Sequence, residues 1–323
     1  MAEKKEFYFP SSDGKTNIHA VVWAPESGNL RAVFQITHGM IEFIERYENF
    51  AEYLTERGFL VAGHDHLGHG KSAGSREELG YIAERKGSDC MTADMHRLRK
   101  LLQKKYPELP YFMLGHSMGS YLLRKYLTVH GQGLDGALIL GTGSVPDPVV
   151  LFGMLLARGI ALFRGWRYRS PLMEKAFFSG AYSQFDMDGS HPENSWLTRD
   201  PKVVQAYYAN PGCNFHFTLN GFYSVLETVH YDNQEKHLRR IPKELPLLLM
   251  SGDRDPVGNL GKGVRRVEEK LSRAGMRDLT CVLYPEYRHE ILNEVGKERV
   301  YRDIAAWCEK NLEKTQKERK TEQ

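Results

Sequence analysis

Cysteine is scarce in this chain: Cys90, Cys213, Cys281 and Cys308 are the only four in 323 residues, and no two stand in a C-x-x-C spacing. Thiols scattered in this way argue against a disulfide frame and against a zinc site, and each reads as a small buried apolar residue in a reducing compartment. Excess charge is lacking too. The 44 Lys and Arg against 41 Asp and Glu leave a net +3, and no basic patch carries interleaved aromatics, so nucleic acid is excluded as a partner. No uninterrupted run of about 18 apolar residues occurs, as a membrane-spanning helix would need. The opening Met1-Ala-Glu-Lys-Lys-Glu-Phe7 has no apolar leader core, and a cytoplasmic protein is expected. Internal repeats are absent, and low complexity is confined to the polar end, 314–323, expected to fray as a tail. What remains is ordinary globular composition, 41% hydrophobic and 26% charged, long enough for one large domain with an insertion or two modest ones.

The hydrophobic pattern places β-rich runs at 17–24 and 32–37, joined through a turn at Pro25, Gly28 and Asn29. Helical spacing follows at 46–57, then a short strand at 59–63. From there the periods alternate: helix 88–105, strand 111–114, helix 118–130, strand 137–140. Such alternation implies a mostly parallel sheet covered on both faces. The rhythm breaks near Gly141, and the stretch to about Arg240 shows no clear strand, many aromatics and an apolar helical run at 149–163. It resumes with strand 245–250, helix 260–274, strand 279–284 and helix 297–312. The expected organisation is therefore a core in two parts, 1–142 and 241–312, an inserted cap at 143–240, and a tail at 313–323.

One stretch suggests chemistry. Leu109 to Leu114 is a buried strand ending in Gly115-His116-Ser117-Met118-Gly119, directly before a helix. A sharp strand-to-helix turn exposes the central hydroxyl in a strained backbone, so Ser117 is the expected nucleophile, with glycines where two backbones pass closely. A serine needs a base and an acid to orient that base. Sites in open parallel sheets lie beyond the carboxyl ends of the strands. His289, in the loop after strand 279–284, suits the base; the loop after strand 245–250 offers Asp253 and Asp255 for the acid, and Pro256 behind Asp255 favours the latter. Two backbone N–H groups must receive the developing oxyanion, and Met118 and Met40, each in a strand-end turn, are placed to supply them. His64-Asp-His-Leu-Gly-His-Gly-Lys-Ser72 superficially suggests a phosphate loop or a metal site. Asp65 stands where the former needs glycine, and Gly68 where the latter needs aspartate, so a tight turn is expected instead, without metal or nucleotide.

Together these motifs resemble the α/β-hydrolase superfamily, and within it the monoacylglycerol lipase and lysophospholipase group. The resemblance rests on His38-Gly39 followed by Glu42, Arg46 and Tyr47, on the His64 to Gly74 pattern, on Tyr106-Pro-x-Leu-Pro110 before the serine motif, and on Asp255 and His289. It implies an α/β fold with a mostly parallel central sheet, helices on both faces and a mainly helical cap over an acyl pocket. It also implies a Ser117–Asp255–His289 triad in that chain order, oxyanion donors at Met40 and Met118, headgroup contacts at Glu42 and Arg46, and no cofactor. The Gly252-x-x-Asp255 spacing belongs to the same resemblance. Phe43 and Leu292 depart from it by standing where histidines can occur in the group, which removes polar contacts from the headgroup end. Glu42 and Arg46 have a plainer alternative as an i, i+4 surface ion pair. The expected function is serine ester hydrolysis of a monoacylglycerol, a lysophospholipid or a similar small amphiphile. Its rivals are a proline-type aminopeptidase, using Asp186, Asp188, Glu193 or Asp200 of the cap for a substrate amine, and a non-catalytic binding protein. The run 151–163 is expected to line the acyl pocket, to touch a membrane surface transiently, or only to pack the cap onto the core.

Overall fold

The computed structural model describes residues 2–26 and 29–321, with side chains as far as Thr315, so Gly28 of the expected turn lies outside the described residues. Strands β1 (Glu3–Pro10), β2 (Asn17–Ala24), β3 (Ala32–Thr37), β4 (Phe59–His64), β5 (Tyr111–His116), β6 (Gly136–Leu140), β7 (Leu247–Gly252) and β8 (Leu279–Tyr284) form one sheet, in the order β1-β2-β4-β3-β5-β6-β7-β8. Only the β1–β2 and β2–β4 pairs are antiparallel. Side-chain alternation explains the near-continuous apolar runs of the inner strands: Tyr111 and Met113 of β5 face one core, Phe112 and Leu114 the other. Helices α1 (Glu48–Thr55) and α10 (Lys297–Thr321) cover the second core with Phe50, Leu54, Ile304 and Cys308. The first is covered by α2 (Gly87–Lys105), α3 (Met118–His130) and α9 (Lys262–Arg273) through Leu98, Leu123 and Val267.

Within 143–240 lie α4 (Asp147–Arg164), α5 (Pro171–Phe177), α6 (Pro201–Ala209), α7 (Leu219–Asn233) and α8 (Glu235–Leu238). Its sole β feature among the described residues is an isolated bridge between Asp186 and Ser195. Helix α7 packs on both α3 and α4 and so links this layer to the helix that follows Ser117.

Three expectations are corrected. Strand β1 was not anticipated, because only Phe9 of its eight residues is buried and an edge strand with a charged outer face carries no apolar alternation. The two early strands are not neighbours, since β4 lies between β2 and β3. The last helix does not stop at Leu312 but runs to Thr321, through Glu, Lys and Gln residues that favour helix without needing a core. Among the described residues no helix is long and apolar enough to cross a membrane.

Candidate active site

Ser117 joins β5 to α3 with φ 54° and ψ −120°, a conformation that costs about 1–3 kcal/mol in a residue with a Cβ. Close backbone approach enforces it. A Cβ on Gly115 would stand 2.3 Å from the Gly119 carbonyl oxygen, and one on Gly119 would stand 2.1 Å from that of Thr37. The Ser117 N–H donates to the Leu140 carbonyl at 3.0 Å, which ties the turn to the next strand.

His289 and Asp255 reach the same place from the loops after β8 and β7. The imidazole Nδ1 lies 3.0 Å from Asp255 Oδ1, and both side chains are buried. Ser251 Oγ donates to Asp255 Oδ2 and the Val257 N–H to Oδ1, each at 2.9 Å. Burial alone would raise the Asp255 carboxyl, but His289 and these donors outweigh it and hold it below the ordinary value. Asp253 instead accepts the Glu286 N–H at 2.7 Å near the surface. Ser117 and His289 line one cavity, but no hydrogen bond joins them in this structure.

The turn after β3 sits against the serine: a Cβ on Gly39 would be 2.9 Å from Ser117 Cβ. Met40 and Met118 both line the cavity, and Met118, at the first position of α3, has an N–H without an intrahelical partner. Ile41 next to Met40 is left-handed, φ 58°, a costly state for a β-branched residue. Tyr207 of α6 donates its hydroxyl to the Ile41 carbonyl at 2.9 Å, and Glu42 accepts the Gly39 N–H at 2.5 Å, so both sides of the turn are held.

Glu42 and Arg46 form no surface pair. Arg46 binds Glu42 at 2.9 Å and Glu290 through two contacts of 2.7 Å, and both carboxylates are buried. Tyr47 donates to Glu42 at 2.9 Å, and His116 Nδ1 lies 3.2 Å from the same carboxylate. Burial opposes charge here, yet the His116 contact and the nearby cations hold Glu42 well below its ordinary value. His116 is raised despite burial, because Glu42 stabilises its imidazolium.

The cavity above Ser117 has a volume of about 660 Å³. Its walls are largely apolar, with Val149, Phe152 and Leu156 of α4, Met173 and Phe177 of α5 and Leu226 of α7; Glu42 and Glu290 mark a polar end. None of the cap acids Asp186, Asp188, Glu193 and Asp200 lines it.

The histidine-rich turn is built around Asp65, which accepts the N–H groups of Ile44 and Lys71 and contacts His19 Nδ1, all at 2.8 Å. His66 and His69 pack with His38, and His64 with His66; the His38 and His66 ring centroids are 4.4 Å apart. Burial, and then the neighbouring His38, push His64 and His69 down to about 3 and His66 well below its usual value. A free imidazole titrates near 6.5. Below that pH the unfolded chain takes up protons that the folded rings refuse, so stability falls as pH drops toward 3. His19 and His116, raised by acidic partners, act in the opposite sense but are fewer. The unfolding free energy, and with it the urea midpoint, is expected to fall as pH drops from about 6.5 to about 4.5, the free energy by on the order of 1 kcal/mol per pH unit for each lowered ring. A midpoint constant over that range would contradict neutral burial of these rings.

The family model described as serine aminopeptidase, S33 matches residues 28–296. Human monoglyceride lipase is 38% identical over 294 residues, covering 88% of this chain and 84% of that protein. The chain belongs to this α/β-hydrolase family, in its monoacylglycerol lipase group. A monoacylglycerol lipase of Mycolicibacterium smegmatis is 27% identical over 291 residues, 90% of this chain and 92% of that one. The crystal structure of a thermostable carboxyl esterase from Bacillus coagulans in complex with glycerol superposes with a TM-score of 0.87 at 28% identity, over 96% and 99% of the two chains. As a member of this lipase group the protein is a carboxylic ester hydrolase acting on a small-molecule ester. Sequence reasoning missed several residues that line the cavity: His116, Trp196, Tyr207 and Glu290. His116 and Glu290 were visible as neighbours of Ser117 and His289, whereas nothing near Trp196 or Tyr207 in the chain marks them.

Proposed function

We propose that the protein hydrolyses a long-chain monoacyl ester with a neutral, hydroxyl-bearing headgroup through an acyl-enzyme on Ser117. The observation that carries this reading is a strained serine at the floor of an apolar cavity of about 660 Å³, beside a buried His289–Asp255 pair. Asp255 fixes the tautomer with the proton on Nδ1, leaving Nε2 to accept the Ser117 proton as Oγ attacks the ester carbonyl. The negative oxygen is received by the Met40 and Met118 amides. His289 then returns the proton to the leaving alcohol, and water, activated by the same ring, releases the acid. No cofactor enters any step.

The polar end supports a neutral headgroup. Glu42 and Glu290 offer acceptors for hydroxyls, while Arg46 is engaged by both, so a phosphate placed beside them would meet two carboxylates and a guanidinium that is already paired. Phe43 and Leu292 pack into apolar clusters and add no polar contact there. The cap acids that a substrate amine would need, Asp186, Asp188, Glu193 and Asp200, stand outside the cavity, which weighs against a peptidase. We take 143–240 as the cap and a cytoplasmic setting as its context. Its helix α4 turns Phe152, Leu155, Leu162 and Phe163 outward, at 67%, 69%, 84% and 89% exposure, a face suited to transient contact with the lipid surface that delivers the substrate.

The test is a panel of p-nitrophenyl esters of rising chain length, monoacylglycerols, lysophospholipids and proline anilides. Monoacylglycerols should be turned over best; preference for lysophospholipid would overturn the headgroup assignment, and preference for the anilide would overturn the lipase reading. Met40→Ala should retain most activity, whereas Met40→Pro, which deletes the N–H, should lose on the order of a hundredfold in kcat. Normal turnover by a folded Met40→Pro protein would remove Met40 from the oxyanion site.

A further inference from the structure

The single hydrogen bond to Asp255 leaves the His289 ring free to swing about it, so something else must hold its plane. The ring is flanked by His116, with centroids 4.7 Å apart, and by Trp196, at 5.1 Å with the planes 28° from parallel. Trp196 belongs to the inserted layer, yet its segment is stitched to the loop that carries His289. The His289 and Glu290 N–H groups donate to the carbonyls of Trp196 and Leu197 at 3.4 and 2.7 Å. Arg288 donates to the Ser195 carbonyl at 2.5 Å, and Thr198 Oγ1 donates to the Asn293 carbonyl at 3.2 Å. The small apolar cluster of Leu197, Tyr207 and Cys213 also packs against the indole. Tyr182 packs edge-on against it at 5.5 Å.

An aromatic face attracts a cation, most strongly for indole and more so away from water. His289 is buried, and it becomes a cation only after taking a proton. The other charged or titratable groups around it are accounted for: Asp255 on Nδ1, His116 held by Glu42, and Glu290 held by Arg46. We propose that Trp196 is a positioning residue for His289, fixing the plane of the imidazole and stabilising the imidazolium that forms when Ser117 gives up its proton. This rests on His289 being the base.

The test uses the full chain and two small probes that do not reach the acyl pocket, diisopropyl fluorophosphate and p-nitrophenyl acetate, from pH 5 to 9. Trp196→Ala should slow both reactions about tenfold and move the acid limb of the rate profile to lower pH, with Trp196→Phe within about threefold of the parent and its limb between the two. The tryptophan emission lost in Trp196→Phe should titrate along the parent's acid limb and stop doing so in His289→Gln. Parent rates and an unmoved limb in Trp196→Ala would overturn the proposal, as would a lower rate with an unmoved limb, which marks Trp196 as a pocket wall. If Trp196→Ala fails to fold by thermal melting, the limb of Trp196→Phe decides in the same way. His289→Gln separates the two readings: undiminished phosphonylation there sinks the base assignment itself, while its loss alongside unchanged Trp196 variants sinks only the role of Trp196.

Discussion

Replacing Ser117 with alanine should lower ester hydrolysis on the order of a hundred-thousandfold and leave a folded protein. Deleting the nucleophile removes covalent catalysis and makes the base idle, so what survives is the contribution of the oxyanion amides and of binding. The fold has little reason to respond. Alanine bears the same left-handed strain at φ 54°, and the bond from the backbone N–H at 117 to the Leu140 carbonyl does not involve the hydroxyl. Steady-state hydrolysis of p-nitrophenyl butyrate, with circular dichroism to verify folding, checks both halves. More than about a hundredth of the parent activity would mean that another group delivers the attack.

Asp255→Asn should cost about ten-thousandfold in kcat, the second largest effect. The carboxylate accepts from His289, Ser251 and Val257, and is held ionised by them despite complete burial. Asparagine can accept at one atom only, and its amide would present hydrogens where Ser251 Oγ or His289 Nδ1 now donates. The imidazole is then driven to the wrong tautomer, with its proton on the nitrogen that must receive one from Ser117. Asp253→Asn is the matched comparison. Its one backbone contact, from Glu286, can be kept by the asparagine oxygen, so its rate should remain within about threefold of the parent. Parallel kcat measurements decide between them, and a severe loss in Asp253→Asn with a mild one in Asp255→Asn would reverse the assignment of the acid.

Both variants test residues that could be named before any coordinates existed, because each stands in a loop directly after a strand with a strong apolar signal. The inner strands are legible for one reason: burial on both faces leaves almost no polar residue in Phe34 to Ile36 or Phe112 to Leu114 apart from Gln35, which bonds to Met95 and Tyr111. Strand β1 is hidden by the same logic, since its outer face is charged and its pairing with β2 is a backbone affair. The polar end of the cavity was half legible. Glu42 and Arg46 stood out, but the second partner of Arg46, Glu290, lies 244 residues from it, a distance no local pattern spans. Trp196 is harder still. Its meaning depends on a ring 93 residues away that approaches only once the segment 195–198 is bonded to the His289 loop. Local chemistry thus points to Ser117, Asp255 and His289, whereas the contacts of Trp196 with His289 and of Arg46 with Glu290 come from tertiary packing alone.

The most direct test is to react the full chain with a fluorophosphonate, follow residual ester hydrolysis, and map the adduct by peptide mass spectrometry. One phosphonyl group per chain on Ser117, gained in step with loss of hydrolysis and absent from Ser117→Ala, is the predicted result. Full hydrolysis by protein that carries the adduct, or inactivation with the adduct on another residue, would contradict an acyl-enzyme on Ser117.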